Sequence, residues 1–584
     1  MNATAQQPAY EWNDLPWRKL EVQVFKLQRR IFNASERGDM QTVHRLERLL
    51  MHAWAAKCLA VRKVTQDNRG KKTAGVDRVK NLSPSSRLRL ASDLRFQAKP
   101  LPVRRLWIPK PGKTEKRPLG SPTIRDRAAQ TLVRLALEPE WEAHFEPRSY
   151  GFRPGRSVHD AREAIFNAIN VKPKFVLDAD IAACFDRINH AALLCKIDTF
   201  PSLRRVIQGW LKAGVWDGVD FKPTEAGTPQ GGALSPLLAN IALHGLETHL
   251  RSAFPTQVTR NGRRYQGWRP IVVRYADDFV VLHEDYDVSM RARQVAADWL
   301  AGIGLELKPE KTRITHTLES CHGQPAGFDF LGFSVRQYPI GYHRSRTDHH
   351  GHRLGFKTFI KPSKQSQERH LRATRDVAKK MRGAPQGALV RALNPKILGW
   401  ANFYATSVAK AVFSRMEHLL LRQLWAWAKR RHSHRGGKWL HKRSWRTVGK
   451  RQWAFKTRDG LELARHFEVP IRRHVMVRDD ARYYDGNLLY WASRLGHHPE
   501  LPKSKATLLQ RQQGRCAWCG LIFITMDDKL EIDHVVPRSH GGSDAYSNLQ
   551  LLHGYCHDQK TASDISLVRR SRCPKSWGIH RGAV

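Results

Sequence analysis

The chain has 584 residues, enough for several domains each with its own core, and its 100 Lys and Arg against 53 Asp and Glu leave a net charge of +47. Such an excess of one sign disfavours a compact chain standing alone and points to a polyanionic partner, nucleic acid above all. No apolar run is long enough to cross a bilayer, and Glu11 and Asp14 interrupt any signal sequence, so no membrane partner is expected. Eight cysteines in so long a chain do not make a disulfide scaffold. Cys58, Cys184, Cys195 and Cys321 are read as buried free thiols, and a reducing, cytoplasmic setting follows.

In chain order, Leu20, Val24, Leu27 and Ile31, then Val43, Leu46, Leu49 and Leu50, recur at helical spacing among basic residues. They predict a basic helical extension over 17–64, closed by a Gly/Lys-rich loop at 69–72. Short apolar strands mixed with helices over about 76–340 predict an α+β domain. Positive charge is densest over about 340–480, as at Lys429-Arg430-Arg431-His432. There the helical apolar positions are Leu389, Leu393, Ile397 and Leu398, then Leu419, Leu420 and Leu424. Trp425, Trp427, Trp439, Trp445 and Trp453 lie among the basic residues, a pattern that serves base stacking as well as core packing. Pro499 and Pro502 mark a linker, and a small Cys/His-rich unit ends the sequence.

Chemistry concentrates at two apolar strands that run into acids. Ile271 to Leu282 carries Tyr275-Ala276-Asp277-Asp278 between β-branched runs, predicting a hairpin with both carboxylates exposed at its tip. Rigid paired carboxylates suit Mg²⁺, a hard cation that prefers oxygen. Upstream, Phe175 to Asp186 places Asp178 and Asp180 on one face of a strand, and the residues alone leave either as the second ligand. Basic and Gly/Pro turns surround these: Lys110-Pro111-Gly112-Lys113 leading to Arg117-Pro118-Leu119-Gly120, Tyr150 to Ser157, and Gly227-Thr228-Pro229-Gln230-Gly231-Gly232. Lys308 to Thr312 and Gly327 to Phe333 complete the series.

In this order the segments resemble reverse transcriptases of the group II intron type, over roughly residues 70–335. The resemblance implies that Asp180 and Asp277 bridge two Mg²⁺ ions, with the Ile181 carbonyl and Asp278 in support. It implies that Lys110 and Arg117 clamp the triphosphate of a dNTP, that Phe185 is a steric gate against a ribose 2′-hydroxyl, and that Gln230 lines the same pocket. Asp178 and Asp186 are read as structural, and Lys311 stays open between a general acid and a surface lysine. The segment Asn394 to Tyr404 looks like the thumb or maturase region of the same proteins, which grips intron RNA.

Near the end, Cys516-Ala517-Trp518-Cys519 and His553-Gly554-Tyr555-Cys556 are two short pairs of soft ligands with the spacing of a structural Zn²⁺ site. Between and after them, Asp533-His534, Gly541-Gly542, Asn548, His557 and Lys560 resemble HNH nucleases over about 506–565. That resemblance implies His534 as general base, Asn548 as its orienting residue, and Asp533 and His557 as ligands of one divalent metal. Zinc would be held by Cys516, Cys519, His553 and Cys556, with His553 standing where many relatives place a cysteine.

The expected architecture is multidomain α+β. It comprises a basic helical extension (1–75), right-hand-like reverse transcriptase fingers and palm (76–360) and an α-helical thumb/maturase domain (361–480). A linker or DNA-binding segment (481–505) and a small zinc-stabilised ββα-metal HNH domain (506–584) follow. The expected function is that of a group II intron-encoded mobility protein acting on intron lariat RNA, target DNA and dNTPs, with oligomeric state open. The alternatives are a splicing maturase with vestigial enzymatic sites, or another prokaryotic reverse transcriptase fused to an HNH nuclease. Deletion after about Leu501 is expected to remove second-strand cutting and spare splicing.

Overall fold

The N-terminal helices Trp17–Glu36, Met40–His52 and Trp54–Arg62 form as the apolar spacing predicts, and Asp39 caps the second by accepting from the Thr42 N–H at 3.0 Å. They are no loose appendage. Leu20, Val24, Ile31, Val43, Leu46 and Leu50 share one core with Leu132, Val133 and Leu137 of the long helix Ile124–His144. The structure is a computed structural model that describes residues 11–96, 99–109, 116–255, 257–260, 263–266, 268–449, 451–523 and 529–571. Lys110 therefore lies outside the described residues.

Two sheets position the polymerase residues. The fingers hairpin pairs Val103–Pro109 with Lys116–Ser121, setting Arg117 opposite Ile108. The palm sheet runs in the order Arg313–His316, Phe175–Asp180, Asp278–His283, Ile271–Tyr275, antiparallel throughout. Strand alternation divides its residues between two cores. Leu177, Ala179, Phe279 and Val281 pack with Ala292, Ala296 and Leu300 of helix Tyr286–Ala301. Val176, Val280 and Leu282 pack with Ala161, Ile165 and Ile169 of helix Val158–Ile169. Asp178, Asp180 and Asp278 continue this second face, so one side of the sheet turns from apolar to acidic at its end.

A three-stranded sheet, Phe328–Phe330, Phe333–Pro339 and Phe356–Pro362, leads into a thumb of helices Lys364–Lys380, Gln386–Tyr404 and Lys410–Arg431. Leu389, Leu393, Ile397, Leu420, Leu424 and Trp427 form its core, whereas Leu398 is exposed. In the segment Asn394 to Tyr404, Tyr404 is buried, Trp400 half-buried and Phe403 exposed. Phe403 stacks on Phe333 at 5.6 Å, and the Tyr404 hydroxyl donates to the Gly332 carbonyl at 3.1 Å.

Residues 481–505 are packed rather than extended as a free linker. They hold helix Leu488–Leu495, followed by helix Lys503–Arg511. The terminal unit is a hairpin of Leu530–His534 with Leu549–His553 running into helix Gly554–Ser571. Of the scattered cysteines only Cys58 and Cys184 are buried; Cys195 is exposed and Cys321 half-buried. Among the described residues no helix is long and apolar enough to cross a membrane.

Candidate active sites

Tyr275 pairs with Asp278 across a two-residue turn, Ala276-Asp277. Ala276 has φ +58°, the left-handed conformation that a primed hairpin turn requires at its first position. Both carboxylates are half-buried, not exposed as the hairpin reading expects, because the segment around Tyr150 covers the turn. The Tyr150 N–H donates to the Arg274 carbonyl at 2.9 Å, and a side chain at Gly151 would overlap the Ala276 backbone.

Burial pushes Asp278 up to about 6, with Asp277 and Asp178 adding repulsion. Burial also raises Asp277, against the opposing positive charge of Arg117. Asp180 lies opposite Asp278 in the sheet register and is ion-paired with the Lys311 ammonium. Asp278 is thus repelled by Asp277 and Asp178, and Asp180 opposite it already holds a cationic side chain, a group of carboxylates that suits divalent metal. Asp180 and Asp278 border a cavity of about 460 Å³ also lined by Asp178, Arg313 and Asp329. Asp178 is pushed up to about 6 by burial, against the Arg313 guanidinium that pairs with it at 3.2 Å.

A second cavity, of about 320 Å³, lies between fingers and palm and is lined by Phe185, Asp186, Gln230, Arg105 and Gly120. The loop at 227–232 is wedged into it. Thr228 N–H donates to the Phe185 carbonyl at 2.6 Å and Gly120 N–H to the Gln230 carbonyl at 2.6 Å. Gly227, at φ +82°, has no room for a side chain against the Asp186 backbone. The Gln230 amide donates to Asp186 at 3.0 Å, and the Phe185 ring meets Phe152 edge-on at 6.2 Å. Ile181 is buried, and the Asp180 carbonyl before it accepts from the Lys308 N–H at 2.8 Å.

Sequence reasoning missed Arg274. It is 2 % exposed, donates to the Ala276 carbonyl at 3.3 Å and to Asn240 Oδ1 at 3.4 Å, and faces Glu146 at 3.9 Å. A guanidinium inside an otherwise apolar strand was the available signal. In the basic turn at 150–157, Arg153 and Arg156 are spent on bonds within the protein. Arg153 is buried in a fork on Glu142, both bonds 2.8 Å, and Arg156 donates to the Pro147 and Ala481 carbonyls.

In the terminal unit, Cys516, Cys519, His553 and Cys556 bring their ligand atoms within 4.8 Å of one another, a set suited to tetrahedral metal. His534 Nε2 lies 2.8 Å from Asp544, which Arg538 also holds at 2.8 Å. An ionised carboxylate only accepts, so Nε2 donates to it and Nδ1 is the ring nitrogen left facing away from this pair. Asn548 does not touch the imidazole directly. It staples the loop behind it, accepting from Val536 N–H at 2.9 Å and donating to the Val536 and Ser543 carbonyls. Asp533 accepts from Gln550 at 2.9 Å, pairs with Lys560 at 3.1 Å and lies 3.9 Å from His557 Nε2.

A groove of about 970 Å³ between helices Lys364–Lys380 and Lys410–Arg431 is lined by Arg375, Lys379, Arg422 and Arg430, with no acid on its walls. Of the five tryptophans named from sequence, Trp427 and Trp445 are buried, while Trp439 and Trp453 are exposed.

Palm, fingers, thumb and appended metal knuckle together define a nucleic-acid polymerase fused to a nuclease. Comparison with known proteins agrees segment by segment. Residues 12–94 match the N-terminal domain of reverse transcriptase and 108–335 the reverse transcriptase (RNA-dependent DNA polymerase) family. Residues 367–446 match the group II intron maturase-specific domain and 516–563 the HNH endonuclease family. Protein YkfC of Escherichia coli (strain K12) is 31% identical over 343 residues, 53% of this chain and 87% of that protein. Group II intron-encoded protein LtrA of Lactococcus lactis subsp. cremoris is 33% identical over 297 residues, 41% of this chain and 47% of LtrA. The chain therefore spans about half of LtrA's length. An uncharacterized 91 kDa protein in the cob intron of Schizosaccharomyces pombe is 31% identical over 264 residues, 37% of this chain and 32% of that protein. The chain belongs to the group II intron-encoded proteins, a multifunctional reverse transcriptase and maturase with an HNH endonuclease domain.

Proposed function

We propose that the chain binds the intron RNA that encodes it, assists its splicing, and carries the lariat to a DNA target in the cytoplasm. There the nuclease cuts one strand, and the polymerase extends the freed 3′-hydroxyl along the inserted RNA, which is retrohoming by target-primed reverse transcription. The observation that carries this reading is one chain holding Asp180 opposite Asp278, with Asp277 in the adjoining turn, together with the Phe185–Gln230 cavity and an HNH hairpin.

At the polymerase, Asp180, Asp277 and Asp278, with the Ile181 carbonyl, would hold two Mg²⁺. When bound, these ions make the primer 3′-hydroxyl a better nucleophile and offset the charge of the departing pyrophosphate. The chain's own residues position. Arg117, with Lys110, grips the triphosphate, and Gln230, fixed by Asp186 and Gly120, floors the nucleotide pocket. Phe185 sets its ring beneath the sugar, where a 2′-hydroxyl would collide. Replacing Phe185 with Val is expected to shift single-nucleotide incorporation toward ribonucleotides by about 100-fold relative to dNTPs. An unchanged ratio would remove Phe185 as the gate. Intron RNA runs along the basic thumb groove, with Trp439 and Trp453 available for stacking.

At the nuclease, Zn²⁺ on Cys516, Cys519, His553 and Cys556 is structural. Asp533 and His557 would hold one divalent ion, which would offset charge on the scissile phosphate. His534 Nδ1 takes a proton from the attacking water, Asp544 fixes the ring, and Asn548 fixes the loop. The water oxygen bonds to phosphorus as the P–O3′ bond breaks, and the departing 3′-oxygen takes a proton from solvent water to become a hydroxyl. His534→Ala is therefore expected to lower nicking of target DNA about 1,000-fold while primer extension on an RNA template stays intact. Nicking by the variant at the unmutated rate would place the base elsewhere. Failure of the unmutated chain to extend a primer would reduce it to a splicing maturase.

A further inference from the structure

The proline-marked segment between thumb and nuclease belongs to two cores at once. Helix Leu488–Leu495 is capped by Asn487, which accepts from Tyr490 N–H at 3.1 Å, and stopped by Gly496 at φ +72°. On one face, Trp491 is 1 % exposed and packs in the palm core with Tyr150, Ala161 and Val273. Its indole N–H donates to the Arg482 carbonyl at 2.9 Å, and Gly155 leaves its ring room that no side chain would. On the other face, Leu488, Leu489 and Ala492 pack with Leu508, Leu509, Leu551 and the ligand residues Cys516 and Cys556 of the nuclease.

Polar ties secure both ends. Arg494 donates to the Gly155 carbonyl at 3.2 Å and the Val475 carbonyl at 2.7 Å, and pairs with Asp160. Asp160 is fully buried and also accepts from Val477 N–H at 2.8 Å and His474 at 3.0 Å. Arg29 pairs with Glu500 at 3.0 Å, and the Gln510 amide donates to the Arg494 carbonyl at 3.2 Å. The contacts then run on, since Tyr150 is bonded to Arg274 and Gly151 abuts the turn that carries Asp277. A flexible tether is polar and free on all sides; this segment is buried on two.

Resting on the function proposed above, we infer that residues 475–500 act as a ruler. Helix Leu488–Leu495, shared by the two cores, holds the nuclease at one distance from the polymerase turn. The number of nucleotides between the nick and the site of RNA insertion is thus set by the protein.

The test uses full-length protein assembled with its intron RNA on a target duplex. Two variants loosen the palm side and leave the nuclease face whole: Arg494→Ala, and Arg494→Ala with Trp491→Ala. Hydrogen exchange over 488–495 is expected to rise in each. The nick is expected to spread from one position to several, and cDNA primed from it to fall about tenfold as the effective concentration of the primer end drops. In Arg494→Ala, nicking summed over positions and extension of a pre-annealed primer stay within about threefold, because that side chain touches neither site. A single nick position with undiminished coupled cDNA in a variant whose helix exchanges faster overturns the ruler. So does unchanged protection of the helix in both variants, since the named anchors would then not hold it. An unmutated protein that neither nicks nor extends would instead sink the function itself.

Discussion

Alanine at Asp277 is expected to reduce primer extension on an RNA template by at least about 1,000-fold, and Asn should do nearly as badly, because the charge rather than the volume is needed. The reasoning starts from the turn. Ala276-Asp277 is clamped by Arg274 below and Gly151 above, so the backbone keeps its shape when the carboxylate is removed. Burial already disfavours charge at Asp277, and its loss relieves Asp278 of a repelling neighbour. The variant should therefore melt no lower than the unmutated protein in metal-free buffer. Added Mg²⁺ should raise the Tm of the unmutated protein and not that of the variant, because only a native-state ligand stabilises by mass action. Nicking of target DNA should persist. Full extension activity in Asp277→Ala would refute the two-ion assignment; loss of activity together with folding would make Asp277 structural instead.

What could be read from the residues followed from local periodicity. Alternation along Phe175–Asp180 placed two acids on one face, and the apolar runs around Asp277 fixed the hairpin. The Cys and His spacing gave the metal cluster because its two ligand pairs are local. What failed to show was decided by distant partners. The basic turn at 150–157 shows its arginines in sequence but not their partners, Glu142, Pro147 and Ala481, which the fold brings beside them. Arg274 needed Asn240 and Glu146 to explain a charge within an apolar strand. Helix Leu488–Leu495 is too short to display a convincing helical period, and its neighbouring prolines suggested a linker. Each of its faces finds its partner in a different core. A chain ending at Leu501 would bare Leu488 and Leu489, so that deletion is not the clean removal of nuclease that the sequence suggested.

The second large effect belongs to the metal knuckle. Cys516 and Cys556 are nearly inaccessible and stand inside the same cluster as Leu508, Leu509, Leu551 and Leu552. A unit this small buries too little apolar surface to fold well without help. Structural zinc contributes about 10–16 kcal/mol in comparable small domains, which is more than such a core supplies. Cys556→Ser, or chelation of the unmutated protein, is therefore expected to abolish nicking and unfold the nuclease, seen as loss of bound zinc and of a protease-resistant fragment. His534→Ala should lose nicking with zinc and fold retained, which separates chemistry from structure. His553→Cys should keep both zinc and nicking, since a fourth thiolate satisfies the same tetrahedral demand. With Mg²⁺ restored in excess, extension of a pre-annealed primer should survive removal of the zinc within about threefold, because Trp491, Gly155 and Arg494 anchor helix Leu488–Leu495 from the palm side. Nicking by a zinc-free Cys556→Ser protein at the unmutated rate would show that the cluster does not hold the nuclease together.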